Sequence, residues 1–270
     1  MTTLWPIALI TFKEGIRSRA IYGIFLMALI LMIVNFLLCS MIPHEVGKVA
    51  VDIALDTVSF SGLLLVFFVG INLMAKDIDK RTIYMVISRP VSRPQYIIGK
   101  FFGMALLIIS TMFFLCIFAV LSIFLIKLSY GSYFPRFSWL KILLALSFSI
   151  LPLILLSAMS FLFASFTSSS FITLVLTVIS YIIGRSSYDV KALVESPAAV
   201  GIHPSWITVK LVQIAYYLFP NLSIFDIKMQ AAHDLPLPLS YLVWVVLYGL
   251  VYTSLAIAGA AVFFRRRELP

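Results

Sequence analysis

Apolar residues in this chain do not alternate; they come in long runs separated by short polar breaks. A bilayer core takes roughly 20 residues of helix, and a spanning segment must satisfy its own backbone hydrogen bonds. The pattern therefore predicts six membrane helices, over residues 21–42, 57–75, 97–126, 139–164, 168–184 and 239–264. The third run is longer than a bilayer needs, so it tilts or extends beyond the membrane, with Lys100 snorkelling at its base. Between the fourth and fifth, the single polar break is Ser165–Ser170, which reads as a tight cytoplasmic hairpin. Pro152 falls within the fourth run and should kink it. Small polar residues recur here (Ser147, Ser149, Ser157, Ser160, Thr173, Thr177, Ser180), the mark of close helix packing in membranes.

The segments between runs carry their own patterns. Residues 2–19 are amphipathic: Leu4, Ile7, Ala8, Thr11 and Phe12 share a face, with Lys13, Glu14, Arg17 and Arg19 toward the end. Thr3 is placed to cap this helix, Pro6 is tolerated in its first turn, and Trp5 suits the headgroup level. It reads as a helix lying along the cytoplasmic interface; the alternative is a frayed basic tail that orients the first span. Residues 43–56, slightly acidic through Glu45, Asp52 and Asp56, read as a short external connection. Residues 127–138 form an aromatic external loop. The longest region outside the spans is 185–239, and within it 204–219 is apolar apart from Lys210 and Gln213. That stretch is too short to span comfortably, and counting it would put Arg265, Arg266 and Arg267 outside the cell, so it reads as an external interfacial or re-entrant helix.

Composition agrees with a polytopic protein. The chain has 270 residues, of which 62% are hydrophobic and 11% charged, and its mean hydropathy is +1.10. A soluble domain of this size needs far more polar surface. The net charge of +9 then reflects basic residues gathered on one side of a membrane, with no implication of nucleic-acid binding. With six spans and both termini inside, cytoplasmic segments hold twelve Lys and Arg against four acids, and external ones eight against seven. That asymmetry follows the positive-inside rule. Cys39 and Cys116 both lie in apolar runs, so neither a disulfide framework nor a zinc site is expected. The first apolar run is too long for a cleavable signal peptide.

The most distinctive stretch is residues 76–100, which hold six of the twenty Lys and Arg residues between two apolar runs. Asp77 precedes Arg81 by four positions, the favourable order for a helical ion pair. Two Ser-Arg-Pro repeats, at 88–90 and 92–94, then stop that helix. Ser92 with Gln95 makes a capping-box pattern that starts the next helix, with Pro94 in its first turn. A short cytoplasmic helix, a stiff elbow and a new span result; the alternative is an ordinary basic loop that sets topology.

Other chemistry is missing from the sequence. His44, His203 and His233 show no ligand spacing, and Gly99-Lys100 lacks the upstream glycine of a phosphate loop. No predicted span carries a central Asp or Glu, which argues against an ion-coupled carrier. Asn35 and Asn72 are the strongly polar span residues, and helix–helix hydrogen bonding is their expected role.

Taken together, the amphipathic lead-in, six spans, the loop D-x-D-x-R-T-I-x-x-x-x-S-R-P-V-S-R and the Gly-Lys that opens span three resemble the ABC type-2 permeases. Thr82, Arg89, Pro90, Val91, Ser92, Arg93, Gly99 and Lys100 fit the family's loop pattern, and the terminal Phe-Phe-Arg-Arg-Arg is similar as well. The resemblance implies an all-α integral membrane protein, one permease domain over residues 1–270, acting as the transmembrane subunit of an ATP-driven exporter in a prokaryotic cytoplasmic membrane. It implies two paired permease subunits, alike or related, each docking a separate ABC ATPase that binds ATP and Mg; this chain itself binds no cofactor and is not an enzyme. The loop would be the coupling helix, with Lys76, Asp77, Asp79, Lys80, Arg81, Thr82, Arg89, Pro90, Ser92 and Arg93 facing the ATPase. Membrane lipids are the other expected partner, met by Trp5, Lys13, Glu14, Arg17 and Arg19. The competing readings are a scaffold or assembly factor that holds a partner by the same loop, and a secondary carrier.

Overall fold

A computed structural model describes residues 4–41, 45–73, 92–131, 138–167, 169–195, 205–233 and 235–266. Among them there is no strand, and six helices are long and apolar enough to cross a bilayer. A short helix, α1 (Leu4–Ile16), precedes the first of these, α2 (Arg19–Met41). Then come α3 (Val46–Leu73), α4 (Arg93–Ser129), α5 (Trp139–Phe166) and α6 (Ser170–Glu195). A second short helix, α7 (Trp206–Leu218), a turn of 3-10 helix at Ser223–Phe225 and the five-residue α8 (Lys228–Ala232) lead to α9 (Leu239–Arg266). The protein is a multi-pass helical membrane protein.

Two boundaries differ from the hydropathy reading. The helix that carries the second apolar run begins at Val46, so Asp52 and Asp56 lie within a helix and not in a loop. Between Lys48 and Ser61 there is no Gly or Pro to stop the helix, and the acids four apart, half-buried Asp52 and exposed Asp56, do not break it. The fifth helix likewise passes through Gly184 and continues to Glu195. Gly184 marks a crossing: Leu222 N donates to its carbonyl at 2.8 Å, and a Cβ there would stand 2.7 Å from Pro220 O. Residues 76–91, where a coupling helix is expected, lie outside the described residues.

Pro152 acts where its chemistry demands. Its ring conflicts with the carbonyl four residues back, at Phe148, and the helix is interrupted between Phe148 and Ile150, with Ser149 bonding back to Ala145 O at 3.0 Å. Ser157, Ser160, Thr173 and Thr177 are buried, each hydroxyl donating to a carbonyl of its own helix, as Thr177 does to Thr173 O at 2.7 Å. Their small, internally satisfied side chains let α5 and α6 approach. Asn35, fully buried, donates across the bundle to Ala50 O at 3.0 Å and so ties α2 to α3. Asn72 does otherwise: it is exposed and bonds its own helix at Phe68 O.

α1 packs lengthwise on α4 through small residues. Its buried positions are Ala8, Thr11 and Gly15; Ala8 and Thr11 meet Gly103 and Gly15 meets Leu107 on α4, while Gly99 meets Leu4 and Ile7. A Cβ at Gly103 would stand 2.5 Å from the Ala8 carbonyl oxygen, and one at Gly99 3.0 Å from Ile7 Cβ. Spacing of four puts both glycines on one helix face, where backbone approaches backbone. Gly103→Ala should therefore separate α1 from α4 and cost about 1–3 kcal/mol, read as a lowered Tm in detergent. Gly23→Ala, where a Cβ meets nothing within 4 Å, should leave Tm unchanged or slightly raised.

Candidate functional site: loop roots and a charged crevice

Of the residues expected to face an ATPase, Lys76, Asp77, Asp79, Lys80, Arg81, Thr82, Arg89 and Pro90 lie outside the described residues. What the structure gives is the pair of helix ends from which that segment springs. Ser92 is the N-cap of α4, with its N–H donating to Gln95 Oε1 at 3.1 Å. One residue on, Arg93 Nη1 lies 3.5 Å from Arg265 O at the end of α9. Tyr96 stacks on Phe264, ring centroids 6.2 Å apart. Leu4, beside Gly99, and Arg265, beside Arg93, show that both α1 and the end of α9 gather at the same end of the bundle as the loop.

Lys100 does not snorkel outward. It is 4% exposed, and its ammonium group donates to the carbonyl of Leu73, the last described residue of α3. A backbone carbonyl is a strong acceptor, and a buried ammonium group needs one. Lys100 thus joins the last described turn of α3 to the base of α4. Trp5, Lys13, Glu14, Arg17 and Arg19 are exposed on α1 and at the start of α2.

At the opposite end the helices enclose a charged crevice that sequence reasoning did not find. Asp56 on α3 pairs with Lys228 on α8 at 2.7 Å. Arg185 on α6 pairs with Asp226, whose other oxygen accepts the Lys228 backbone N–H at 3.2 Å. These residues are shared by two adjoining cavities of about 400 and 880 Å³. The smaller runs inward to Ser149 and Leu63, past Phe60 and Tyr181. From α5 the smaller cavity is lined by Ser149, Pro152 and Leu153. The larger opens past Asp52, Gln230 and His233, and Gln230 Oε1 is buried there without a protein partner.

The wall behind Asp226 is fixed by polar contacts. Tyr241 OH donates to Ile224 O at 2.7 Å, Asn221 N donates to Tyr248 OH at 2.8 Å, and Asn221 Oδ1 accepts from Ser223 Oγ at 2.7 Å. Burial opposes ionisation of Asp226, but the hydrogen bond and charge of Arg185, with Lys228 behind, outweigh it and hold the carboxyl below its ordinary 3.8. Among the described residues no group of His, Cys, Asp and Glu is arranged to hold a metal ion. The crevice can hold water and polar groups beside paired charges; nothing in it is set up as a nucleophile with a base.

The sequence signal for the crevice was Asp52 and Asp56, four apart in a stretch without helix breakers. Arg185, Asp226 and Lys228 carried no comparable signal, since they meet only through the turn after α7. No known protein-family model matches the chain, and no curated protein matches it.

Because its folded value is depressed, Asp226 stabilises the protein above pH 3.8, its ordinary value, and that contribution is lost as the pH falls through the lower folded value. Asp226→Asn should lower stability at pH 7 by about 1–2 kcal/mol, the smaller end because Arg185 stays partly solvated. The gap between the variant and the parent, followed by thermal melts in detergent, should narrow below pH 3.8.

Proposed function

We propose that this protein is the membrane-spanning permease subunit of an ATP-driven ABC exporter. In this reading two permease subunits pair, alike or related, and each docks a separate ATPase that binds ATP and Mg. Residues 76–93 form the coupling helix and its elbow, α1 lies along the cytoplasmic interface, and α7 is an external interfacial or re-entrant helix. Both termini face the cytoplasm of a prokaryotic cell.

The observation that carries the reading is the mounting of the loop. Motion at an ATPase surface can drive a permease only if the docked segment is fastened to spanning helices. Lys100 bonds the end of α3 from the base of α4, and Ser92 caps α4 directly after the loop. A push on the segment between them reaches two spans at once. The resemblance of the Ser-Arg-Pro-Val-Ser-Arg stretch to type-2 permease loops adds to this. Orientation follows from the basic residues at the loop end, Lys13, Arg17, Arg19, Arg93, Arg265 and Arg266. The charged crevice, at the opposite end of the bundle, is then the external mouth, where a polar group leaving the protein meets paired charges in place of hydrocarbon.

The test is a charge swap that keeps the loop's net charge: Asp77→Lys with Arg81→Asp. Exposed charges contribute within about 0.5 kcal/mol to folding, whereas an interface hot spot is worth about 2 kcal/mol or more. The swapped protein should reach the membrane at the parent level yet fail to retain the ATPase in a mild-detergent pull-down. Undiminished retention would remove the coupling role from this pair, and failure of the parent to retain any ATPase would remove the transporter reading.

A further inference from the structure

We propose that a groove between α1, the start of α2 and the end of α3 is a binding site for the phosphate headgroup of an anionic membrane phospholipid. The groove measures about 730 Å³ and is lined by Lys13, Arg17 and Arg19, by Glu14 and Asn72, and by apolar Ile10, Val69 and Leu73. Three cations face it against one carboxylate. Among the described residues none of the three makes an ion pair or a side-chain hydrogen bond. Glu14, though next to Lys13 and three residues from Arg17, is not paired with either. Asn72 uses one amide proton on Phe68 O, and the second is left for an acceptor in the groove. Among the described residues this donor set has no acceptor of its own, and phosphate oxygens supply one.

The surroundings select a lipid over a soluble anion. Arg19 stands at the head of an apolar stripe on α2: Tyr22, Leu26, Ile30 and Ile33 follow at helical spacing and are 68%, 60%, 50% and 54% exposed. On α1 the neighbouring Ile10 is 65% exposed. A ligand whose charge sits among Lys13, Arg17 and Arg19 and whose tail lies along that stripe satisfies both surfaces; inorganic phosphate satisfies only the first. The groove runs between α1 and the last described turn of α3, so an occupant touches both. The inference concerns the chain's own surface and does not rest on the transporter reading.

The experiment is native mass spectrometry of the full-length protein released from nanodiscs of equal phosphatidylglycerol and phosphatidylcholine. Each Lys or Arg near an anionic headgroup adds about fivefold in affinity, so phosphatidylglycerol should be retained about tenfold or more over phosphatidylcholine. Lys13→Gln/Arg17→Gln/Arg19→Gln should lose that preference. The charge-preserving Lys13→Arg/Arg17→Lys/Arg19→Lys should keep it, as should Arg265→Gln/Arg266→Gln at the same end of the bundle. Equal retention of the two lipids by the parent overturns the proposal, as does a preference that survives the triple glutamine variant. Loss of the preference in millimolar inorganic phosphate would assign the site to a free anion. Should the glutamine variant fail to insert, protection of Lys13 from an amine-modifying reagent decides. Phosphatidylglycerol vesicles should protect it and phosphatidylcholine vesicles should not; protection that requires an added protein would overturn the lipid assignment.

Discussion

The hydrogen bond from Lys100 to the Leu73 carbonyl is the constraint on which the loop end of this protein depends. A buried cation is costly unless it is well paired, and Lys100 finds its acceptor in a backbone carbonyl of α3. Around this point the first turns of α4 also receive α1 at Gly99 and Gly103 and the end of α9 at Tyr96 and Arg93. Displacing any one of these helix ends disturbs contacts made by the same first turns of α4.

The opposite end is built on another principle. There the segments are held by ion pairs with at least one member well exposed: Asp56 is 72% exposed against Lys228. Pairs of this kind contribute modestly, because water competes for both charges. Polar backbone contacts at Asn221, Ile224 and Gly184 keep the wall in place, while the charges lining the crevice can exchange partners with water or a polar guest. A rigid loop end and a solvated, loosely latched far end suit a protein that takes a push at one surface and changes access at the other.

Much of the fold was legible in the sequence because its causes are local. The six apolar runs follow from length alone, the break in α5 from the clash of Pro152 with Phe148, and the start of α4 from Ser92 and Gln95. What was misread depends on partners distant in the chain. Asp52 and Asp56 looked like loop residues because hydropathy falls at the first charge, yet a helix tolerates acids wherever a crevice or a lysine such as Lys228 receives them. Gly184, at the end of an apolar run and before Arg185, has the form of a helix stop; its actual reason is the Pro220 carbonyl, which no spacing reveals. Lys100 was recognised as a charge at the base of a span, but its direction, inward to Leu73, depends on where α3 ends.

The adjacency of Gly99 and Lys100 has a geometric cause. Successive helix residues point about 100° apart, so one α4 stripe faces α1 while the next faces α3. Gly99, Gly103 and Leu107, at intervals of four, receive α1. Lys100 and Met104, shifted by one, receive α3 at Leu73 and Gly70, and Met112 lies against Gly62 farther along. The two stripes share one rotational setting. Turning α4 by a single residue would drive the Lys100 side chain into the backbone of α1 and leave the end of α3 facing a glycine. The angle at which α1 lies and the placement of the last described turn of α3 are therefore set by the same helix, through two neighbouring residues.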